Sequence, residues 1–258
     1  MFLDWRYKSE FKTWLKKKSA ELSKKDIVLQ TIDLKKQYGR GNTSFLALRG
    51  VSIVLRKGEL VSIVGPSGSG KSTLLNLLGA LDRPTSGKVL IDGVDISRLG
   101  DDKLAYLRNK KIGFVFQSFN LIQRMSALDN VMMPLLVRKM SSKNRRISAV
   151  KILNAVGLDN KLHRKPSELS GGEQQRVAVA RAFVTNPSII LGDEITGNLD
   201  TKTTAEIVSL VKDLNAKLDT TFIIVTHNME VANETNRIIR VRDGMIEKDQ
   251  KIQLKKRG

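Results

Sequence analysis

Cysteine is absent from the 258 residues. That removes disulfides, thiol nucleophiles and thiolate-held metals from consideration in one step. Long apolar runs are also missing. Segments such as Phe222–Val225 fall far short of the roughly 18 residues that a membrane span requires. Charges interrupt Met1–Leu22 throughout, so the start lacks the apolar stretch of a secretory signal. No internal repeat and no low-complexity stretch is present. These absences lead to the expectation of a soluble chain in a reducing compartment.

What the sequence has in excess is positive charge. Lys and Arg number 45 against 26 Asp and Glu, a formal net charge of +19. With 41% hydrophobic and 28% charged residues the composition is globular. The length suits one large domain, or a domain with a subdomain. Such a charge points to an anionic partner, whether nucleic acid, membrane surface or phosphate ligand. Composition does not choose among them.

Residues 1–25 stand apart. They hold both tryptophans, Trp5 and Trp14, and eight basic residues against three acids. Leu3, Tyr7, Phe11, Trp14, Leu15 and Leu22 recur at helical spacing, which predicts a basic amphipathic helix. A domain is expected from residue 26 to about 250, followed by a basic tail, 251–258, with Lys251, Lys255, Lys256 and Arg257. Within the domain, 27–34 and 48–55 read as strands around a polar turn. Leu60–Val64 is a continuous apolar run, as a parallel strand buried on both faces requires. Further strands are expected at 89–91, 188–191 and 221–225, with a short strand pair around Asp243-Gly244. Helices are expected after the Gly-rich turn at 65–70 and over 173–184 and 203–217. Between 121 and 166 strands fade and helices are expected at 127–136 and 147–156, separated by a basic loop from Arg138 to Arg146. Strands alternating with helices predict an α/β parallel sheet, interrupted by an inserted helical block.

The strongest local signal is Gly65-Pro66-Ser67-Gly68-Ser69-Gly70-Lys71-Ser72-Thr73, between the apolar strand and an apolar-periodic helix. Backbone N–H groups of such a loop form a concavity for phosphate oxygens, and the helix that follows adds the positive end of its dipole. Lys71 would reach the outer phosphates and Ser72 would ligate Mg²⁺. This predicts a nucleoside triphosphate site. A second signal is Leu169-Ser170-Gly171-Gly172-Glu173-Gln174-Gln175-Arg176, which opens a helix. A serine and two glycines at a helix N-terminus form a second anion site by the same physics; the plainer reading is an ordinary serine cap.

Together these two runs resemble the P-loop and the signature sequence of ATP-binding cassette (ABC) ATPases. The resemblance covers roughly residues 26–248 and implies the ABC ATPase fold: a P-loop core with a mainly parallel sheet, an antiparallel β subdomain and an inserted helical subdomain at about 118–170. It also implies roles for single residues. Asp193, at the end of the apolar strand Ser188–Asp193, would hold Mg²⁺ through water, together with Ser72 and Gln117. Glu194 would orient and activate the attacking water. Gln117, after Phe114-Val115-Phe116, resembles the glutamine that senses the γ-phosphate region and links it to the helical subdomain. His227 resembles the switch histidine at the γ-phosphate. The other histidine, His163, lies in a basic polar stretch and is expected to be solvated. Asp200 resembles the loop that communicates across a dimer, and Tyr38 the aromatic residue that stacks on adenine. Ser170, Gly171 and Gly172 would close over the nucleotide held by a second chain. One position departs from the family pattern: Ile195 stands where proline usually follows the catalytic acid. Proline there would fix the backbone, so the departure bears on turnover and on the geometry of the next loop, not on nucleotide binding.

The string Thr196–Asp200 and the single-cassette length resemble the lipoprotein-release, macrolide-export and cell-division-associated group. The resemblance implies an ATP-hydrolysing subunit, with ATP and Mg²⁺ as cofactors, that forms a head-to-tail homodimer on ATP binding and powers a separate transmembrane permease. It would work peripherally at the cytoplasmic face of the cell membrane, with residues 1–25 offered to anionic lipid. The permease would dock in the groove near Gln117 and residues 127–136. Two alternatives remain open at this point: an ABC ATPase acting on nucleic acid, and a weakly hydrolysing structural subunit.

Overall fold

The computed structural model describes residues 26–252. The amphipathic helix expected over 1–25, and all but the first two residues of the basic tail, lie outside the described residues. The chain first builds an antiparallel sheet from β1 (Ile27–Tyr38), β2 (Phe45–Val51) and β3 (Val54–Arg56). After β4 (Leu60–Val64) and helix α1 (Lys71–Leu78), the chain returns to that sheet with β5 (Ser86–Ile91) and β6 (Val94–Asp95), giving the order β2-β1-β5-β6 with β3 on β1.

The second sheet contains β4, β7 (Ile112–Phe116), β8 (Ile189–Asp193), β9 (Thr221–Val225), β10 (Arg237–Arg242) and β11 (Met245–Lys251). Its order is β11-β10-β4-β9-β8-β7, parallel except for β11, which turns back on β10. Every residue of β4 and β9 is buried, as their largely apolar runs predict, Ser62 and Thr221 included. Alternate side chains feed two cores. Ile223 and Val225 join Val61, Ile63 and the α1 leucines Leu74, Leu75, Leu77 and Leu78 beneath the antiparallel sheet. Phe222 and Ile224 face the other core with Leu60, Ile190 and Val115.

Five further helices pack on these sheets: α2 (Asp101–Lys111), α3 (Ala127–Met132), α4 (Ser142–Ala155), α5 (Gly171–Phe183) and α6 (Thr201–Leu218). A short α7 (Met229–Asn233) follows β9. The second core draws on α3, α4, α5 and α6 through Leu128, Leu153, Val177 and Ile207. Register fixes what matters for function. Phe116 pairs with Asp193, Asp193 with Val225, and Ile63 with Val225, so β7, β8, β9 and β4 all end at one edge. The segments that begin with Gln117, Glu194, Thr226 and Gly65 therefore leave the sheet side by side, the usual place for a ligand in an open α/β sheet.

Several expectations need correction. Residues 48–55 are not one strand but the end of β2 and the first two residues of β3, with Ser52-Ile53 between them. The loop expected from Arg138 to Arg146 ends early: Ser141 accepts a hydrogen bond from the Asn144 N–H at 3.2 Å and α4 starts at Ser142. Arg138 is a half-buried strut, donating to the Thr185 carbonyl at 2.9 Å and to the Asn109 carbonyl at 2.8 Å. The helix expected over 127–136 is α3 followed by one 3-10 turn containing Pro134. Helix α2 was not expected at all.

Candidate functional site

The P-loop runs from the end of β4 into α1. Gly68 and Gly70 have φ of +78° and +99°, a region that glycine enters without penalty. At Gly70 a Cβ would also stand 2.5 Å from the Ala47 carbonyl oxygen. The same carbonyl lies 2.7 Å from the place of a Cβ on Gly244, so the P-loop, β2 and the β10–β11 turn close on one another. The Gly244 N–H donates to the Ser69 carbonyl at 3.1 Å, which pins the loop from its far side. Lys71 Nζ donates to the carbonyls of Gly65 and Pro66 at 2.9 and 2.7 Å. Its charge is thereby held at the mouth of the loop.

Beside this loop lies a cleft of about 550 Å³. It is lined by Ser67, Gly68, Gly70, Lys71, Ser72 and Thr73, by Asp193 and Glu194 from the end of β8, by His227 after β9, and by Tyr38. The cleft also takes in Phe45, Leu46, Ala47, Arg49, Val225, Asp243 and Gly244, none of which was assigned from the sequence. Arg49 adds a second cation beside Lys71. Phe45 is exposed, with its ring 5.7 Å from that of Tyr38. Exposed apolar residues next to a Gly-rich turn were the available signal, though only the pairing of β1 with β2 brings them there.

Glu194 is the best-held acid of the cleft. Its backbone turns left-handed (φ +46°) as β8 ends, and its N–H donates to the Val225 carbonyl at 2.9 Å. One carboxylate oxygen accepts the His227 N–H at 3.0 Å and lies 2.7 Å from His227 Nδ1; the other accepts the Thr226 hydroxyl at 3.1 Å. An ionised carboxylate only accepts, so Nδ1 carries the proton in this contact. The His227 side chain is itself 75% exposed to the cleft.

Asp193 is the opposite case. Half-buried, it has no hydrogen bond or ion pair among the described residues. Burial, and then the neighbouring Glu194 charge, push its carboxyl above the ordinary aspartate range, with Lys71 pulling the other way. An undercompensated carboxylate facing a cleft that also holds the Ser72 hydroxyl is a hard-oxygen donor pair, suited to Mg²⁺ that takes its remaining ligands from phosphate and water. Ser72 and Asp193 therefore fit such an ion. Gln117 does not line this cleft: its side-chain amide donates to Asn198 Oδ1 at 3.3 Å and its backbone carbonyl accepts from Asn198 Nδ2 at 3.0 Å.

Tyr38 has its hydroxyl on Asp82 at 2.8 Å, and Lys36 Nζ lies 4.8 Å from the ring centre. Burial, then the Asp82 contact, raise its phenol above the ordinary tyrosine value. Asp82, which also receives Lys36 at 2.7 Å, fixes the ring's direction and was missed by sequence reasoning.

The signature residues sit elsewhere. Ser170 caps α5: its Oγ accepts the Glu173 N–H at 3.3 Å, and its own N–H donates to Glu173 Oε2 at 2.9 Å. That backbone bond is the main reason the Glu173 carboxyl is held below its usual value. The ordinary cap is thus present, and it leaves the N–H groups of Gly171 and Gly172 at the helix start. Neither these residues nor Asp200 line the cleft. Asp200 caps α6 through the Thr203 N–H at 3.0 Å, and its carboxyl is held low by the Thr203 hydroxyl. His163 is exposed, as expected, in a shallow hollow of about 340 Å³ with Asp159 and Glu168.

Comparison with known proteins identifies the family. An ATP-binding protein of an uncharacterized ABC transporter from Thermotoga maritima is 53% identical over 85% of this chain and 94% of its own length. The lipoprotein-releasing system ATP-binding protein LolD of Geobacter metallireducens is 47% identical over 86% of this chain and 99% of its own. Among solved structures, the ATP-binding cassette MJ0796, known from Methanocaldococcus jannaschii, superposes with a TM-score of 0.79 at 44% identity. That superposition covers 88% of this chain and 100% of the cassette, which is a dimer in a post-hydrolysis state bound to ADP and Pi. The ABC transporter family profile matches residues 48–197, through the P-loop, the signature and the acids that end β8. The chain belongs to the ABC transporter family, among its ATP-binding cassettes.

Proposed function

We propose that this chain binds and hydrolyses ATP as the energy-coupling subunit of a membrane transporter, working as a head-to-tail dimer. The observation that carries the reading is a division of labour: one cleft gathers Lys71, Ser72, Asp193, Glu194 and His227, while Ser170, Gly171 and Gly172 open a helix outside it. An anion site that its own chain's cleft does not use is explained if a second chain presents it to the nucleotide. The relatives named above are described as transporter subunits and not as nucleic-acid proteins, so the nucleic-acid alternative is set aside.

In this reading the P-loop N–H groups and Lys71 bind the phosphates, Tyr38 faces the base, and Ser72 and Asp193 hold Mg²⁺, which neutralises phosphate charge. Glu194 orients the attacking water and takes its proton. His227, with Nδ1–H directed to Glu194, presents Nε2 to the γ-phosphate; when protonated it donates there while the carboxylate balances its charge. Gln117 and Asn198, already paired, link the loop after β7 to the segment before Asp200. A groove of about 570 Å³ lined by Leu81, Phe114, Phe116, Pro134 and Val137 lies between α2 and the mid-chain helices. Its exposed apolar residues support docking of a permease segment. No helix among the described residues is long and apolar enough to cross a membrane; in this reading the permease is a partner met at the cytoplasmic face. The charge of residues 1–25 supports contact with anionic lipid, checked by comparing vesicle co-sedimentation with and without them.

Complementation tests the dimer. Lys71→Ala spoils the P-loop and leaves the signature intact; Ser170→Arg does the reverse. Neither variant alone should release phosphate, and an equimolar mixture should, because one intact composite site forms per heterodimer. A mixture as inactive as its components would refute a site shared between chains.

A further inference from the structure

The nucleotide cleft has two kinds of lining. The P-loop amides, Lys71 and Ser72 suit phosphate, whereas Tyr38, Phe45, Leu46 and Ala47 offer rings and apolar carbon. Phe45 and Leu46 are 60% and 45% exposed. Successive strand residues point to opposite faces, so in a strand packed on one face one of the two would be turned into a core. Neither is: both line the cleft at the start of β2, and neither belongs to a hydrophobic cluster among the described residues. Packing does not account for a phenylalanine at this place, and a ligand would.

The two rings differ in freedom. Tyr38 and Phe45 are direct partners in the β1–β2 ladder and so project from the same face. Their centres lie 5.7 Å apart and their planes are tilted by 38°. Tyr38 is tethered: its hydroxyl is on Asp82 at 2.8 Å, and Lys36 Nζ sits 4.8 Å from the ring centre. Lys36 is fixed in turn by Asp82 Oδ1 and the Arg83 carbonyl, both at 2.7 Å. Phe45 has no such anchor, and most of its surface is open. A planar base cannot lie flat on two rings tilted by 38°. It stacks on one and meets the other at an angle, a geometry that aromatic groups favour. The fixed ring then serves as a wall, and the free ring can turn to close on the base.

We propose that Phe45 is a specificity-determining residue of the nucleotide site: with Tyr38 it forms an aromatic shelf for the nucleobase. A two-ring purine offers this pair more face than a one-ring pyrimidine, so the shelf favours purine nucleotides. The proposal rests on the reading that the P-loop holds the phosphates of a nucleotide in this cleft.

The test is calorimetric titration of the full chain with ADP or CDP in the presence of Mg²⁺, where no hydrolysis intervenes. Phe45→Ala should weaken ADP about fivefold, the usual worth of one aromatic contact, and CDP by no more than about twofold. Phe45→Trp should keep ADP affinity to within about twofold. It also supplies a signal, because both native tryptophans, Trp5 and Trp14, lie in residues 1–25. Measured against the unaltered chain, the emission of the new indole should be quenched by ADP and not by pyrophosphate, which has no base to stack. Unchanged ADP affinity in Phe45→Ala, an equal loss for ADP and CDP, or quenching that ADP does not cause or that pyrophosphate causes as well would overturn the proposal. If Phe45→Ala does not fold, Phe45→Trp decides: quenching by ADP alone supports the shelf, and any other result overturns it. Failure of the unaltered chain to bind ADP would instead remove the reading of the cleft on which the shelf rests.

Discussion

Replacing Glu194 by glutamine separates binding from chemistry. The carboxylate has three donors around it: the His227 N–H at 3.0 Å, His227 Nδ1 at 2.7 Å and the Thr226 hydroxyl at 3.1 Å. Glutamine keeps one carbonyl oxygen for the His227 pair and turns its amide to Thr226. The Thr226 hydroxyl, which already accepts the Asn228 N–H at 3.0 Å, has a second lone pair for the new donor. The cost to the fold is then about 1 kcal/mol, a fall in Tm of about 2–4 °C for a chain of this size. Lys71 and the P-loop amides are untouched, so ATP affinity should hold. The loss of a general base is worth about 10²–10⁴ in rate, or ~3–5 kcal/mol in the barrier. Phosphate release should therefore fall by at least about a hundredfold. Sedimentation velocity with ATP and Mg²⁺ should show a stable dimer that the unaltered chain does not accumulate. Hydrolysis at the unaltered rate would refute the assignment of Glu194. Loss of ATP binding would refute the geometric argument that glutamine is accommodated.

Lys71→Ala should abolish binding of a fluorescent ATP analogue while leaving Tm nearly unchanged, because its bond to the Pro66 carbonyl is exposed and that to Gly65 only part-buried. A large fall in Tm would show that Lys71 holds the loop together. Asp193→Asn should raise the Tm of the nucleotide-free chain at pH 7 while stopping hydrolysis. The Asp193 carboxyl is raised by burial and by Glu194, so its stabilising contribution is present below the unfolded aspartate value of about 3.9 and lost as pH rises through the folded value. The gain from asparagine should vanish in scans below about pH 4; an equal gain at both pH values would refute the electrostatic cause. Gly113→Ala should lower Tm, since the new Cβ would stand 2.5 Å from the Ala182 carbonyl oxygen and 3.1 Å from Ile190 Cγ1. Overpacking of this kind costs about 1–3 kcal/mol, and an unchanged Tm by circular dichroism would refute the close approach of β7 to α5.

How much of this was legible in the sequence follows from where the information sits. β4 and β9 could be read directly because burial on both faces favours apolar side chains, Ser62 and Thr221 being the polar residues in them, and the P-loop because its glycines and Lys71 are contiguous. α2 was invisible to apolar periodicity: only Leu104 and Leu107 are buried, and apart from Ala105 and Tyr106 the rest of Asp101–Lys111 is polar. Its signal was electrical, with Asp101 and Asp102 in the first turn and Arg108, Lys110 and Lys111 in the last, as the helix dipole favours. The start of α4 was hidden for a similar reason. Ser142–Arg146 looked like a solvated basic loop, and Ser141 was the overlooked cap. Asp82 as the partner of Tyr38, and Gln175 as the partner of Ile195, join residues 44 and 20 positions apart. No local pattern carries such pairs; they exist only once strands and helices have docked.

The cleft is also where the chain is least satisfied with itself. Glu194 accepts a left-handed backbone, which costs a non-glycine residue about 1–2 kcal/mol. Among the described residues, the half-buried Asp193 carboxylate has no hydrogen bond or ion pair, and Ser69 in the P-loop is one of three buried polar side chains with an unpaired atom. Elsewhere Arg237 bridges Glu59 at 3.0 Å and Asp249 at 2.7 Å, Arg138 and Arg181 are held by backbone carbonyls, and Asn130 spends its whole amide on Ile122, Met125 and Ser126. A chain able to satisfy Asn130 this fully is under no general constraint that forces Asp193 to stay bare. The imbalance is local: the Asp193 carboxylate has Lys71 as its nearby cation but no direct partner among the described residues, and the Lys71 ammonium contacts carbonyls only. ATP with Mg²⁺ supplies both charges at once, so their joint binding should raise Tm by more than the sum of their separate effects. Equal, additive shifts in thermal scans with ATP alone, Mg²⁺ alone and both would show that the unpaired groups are not arranged for them.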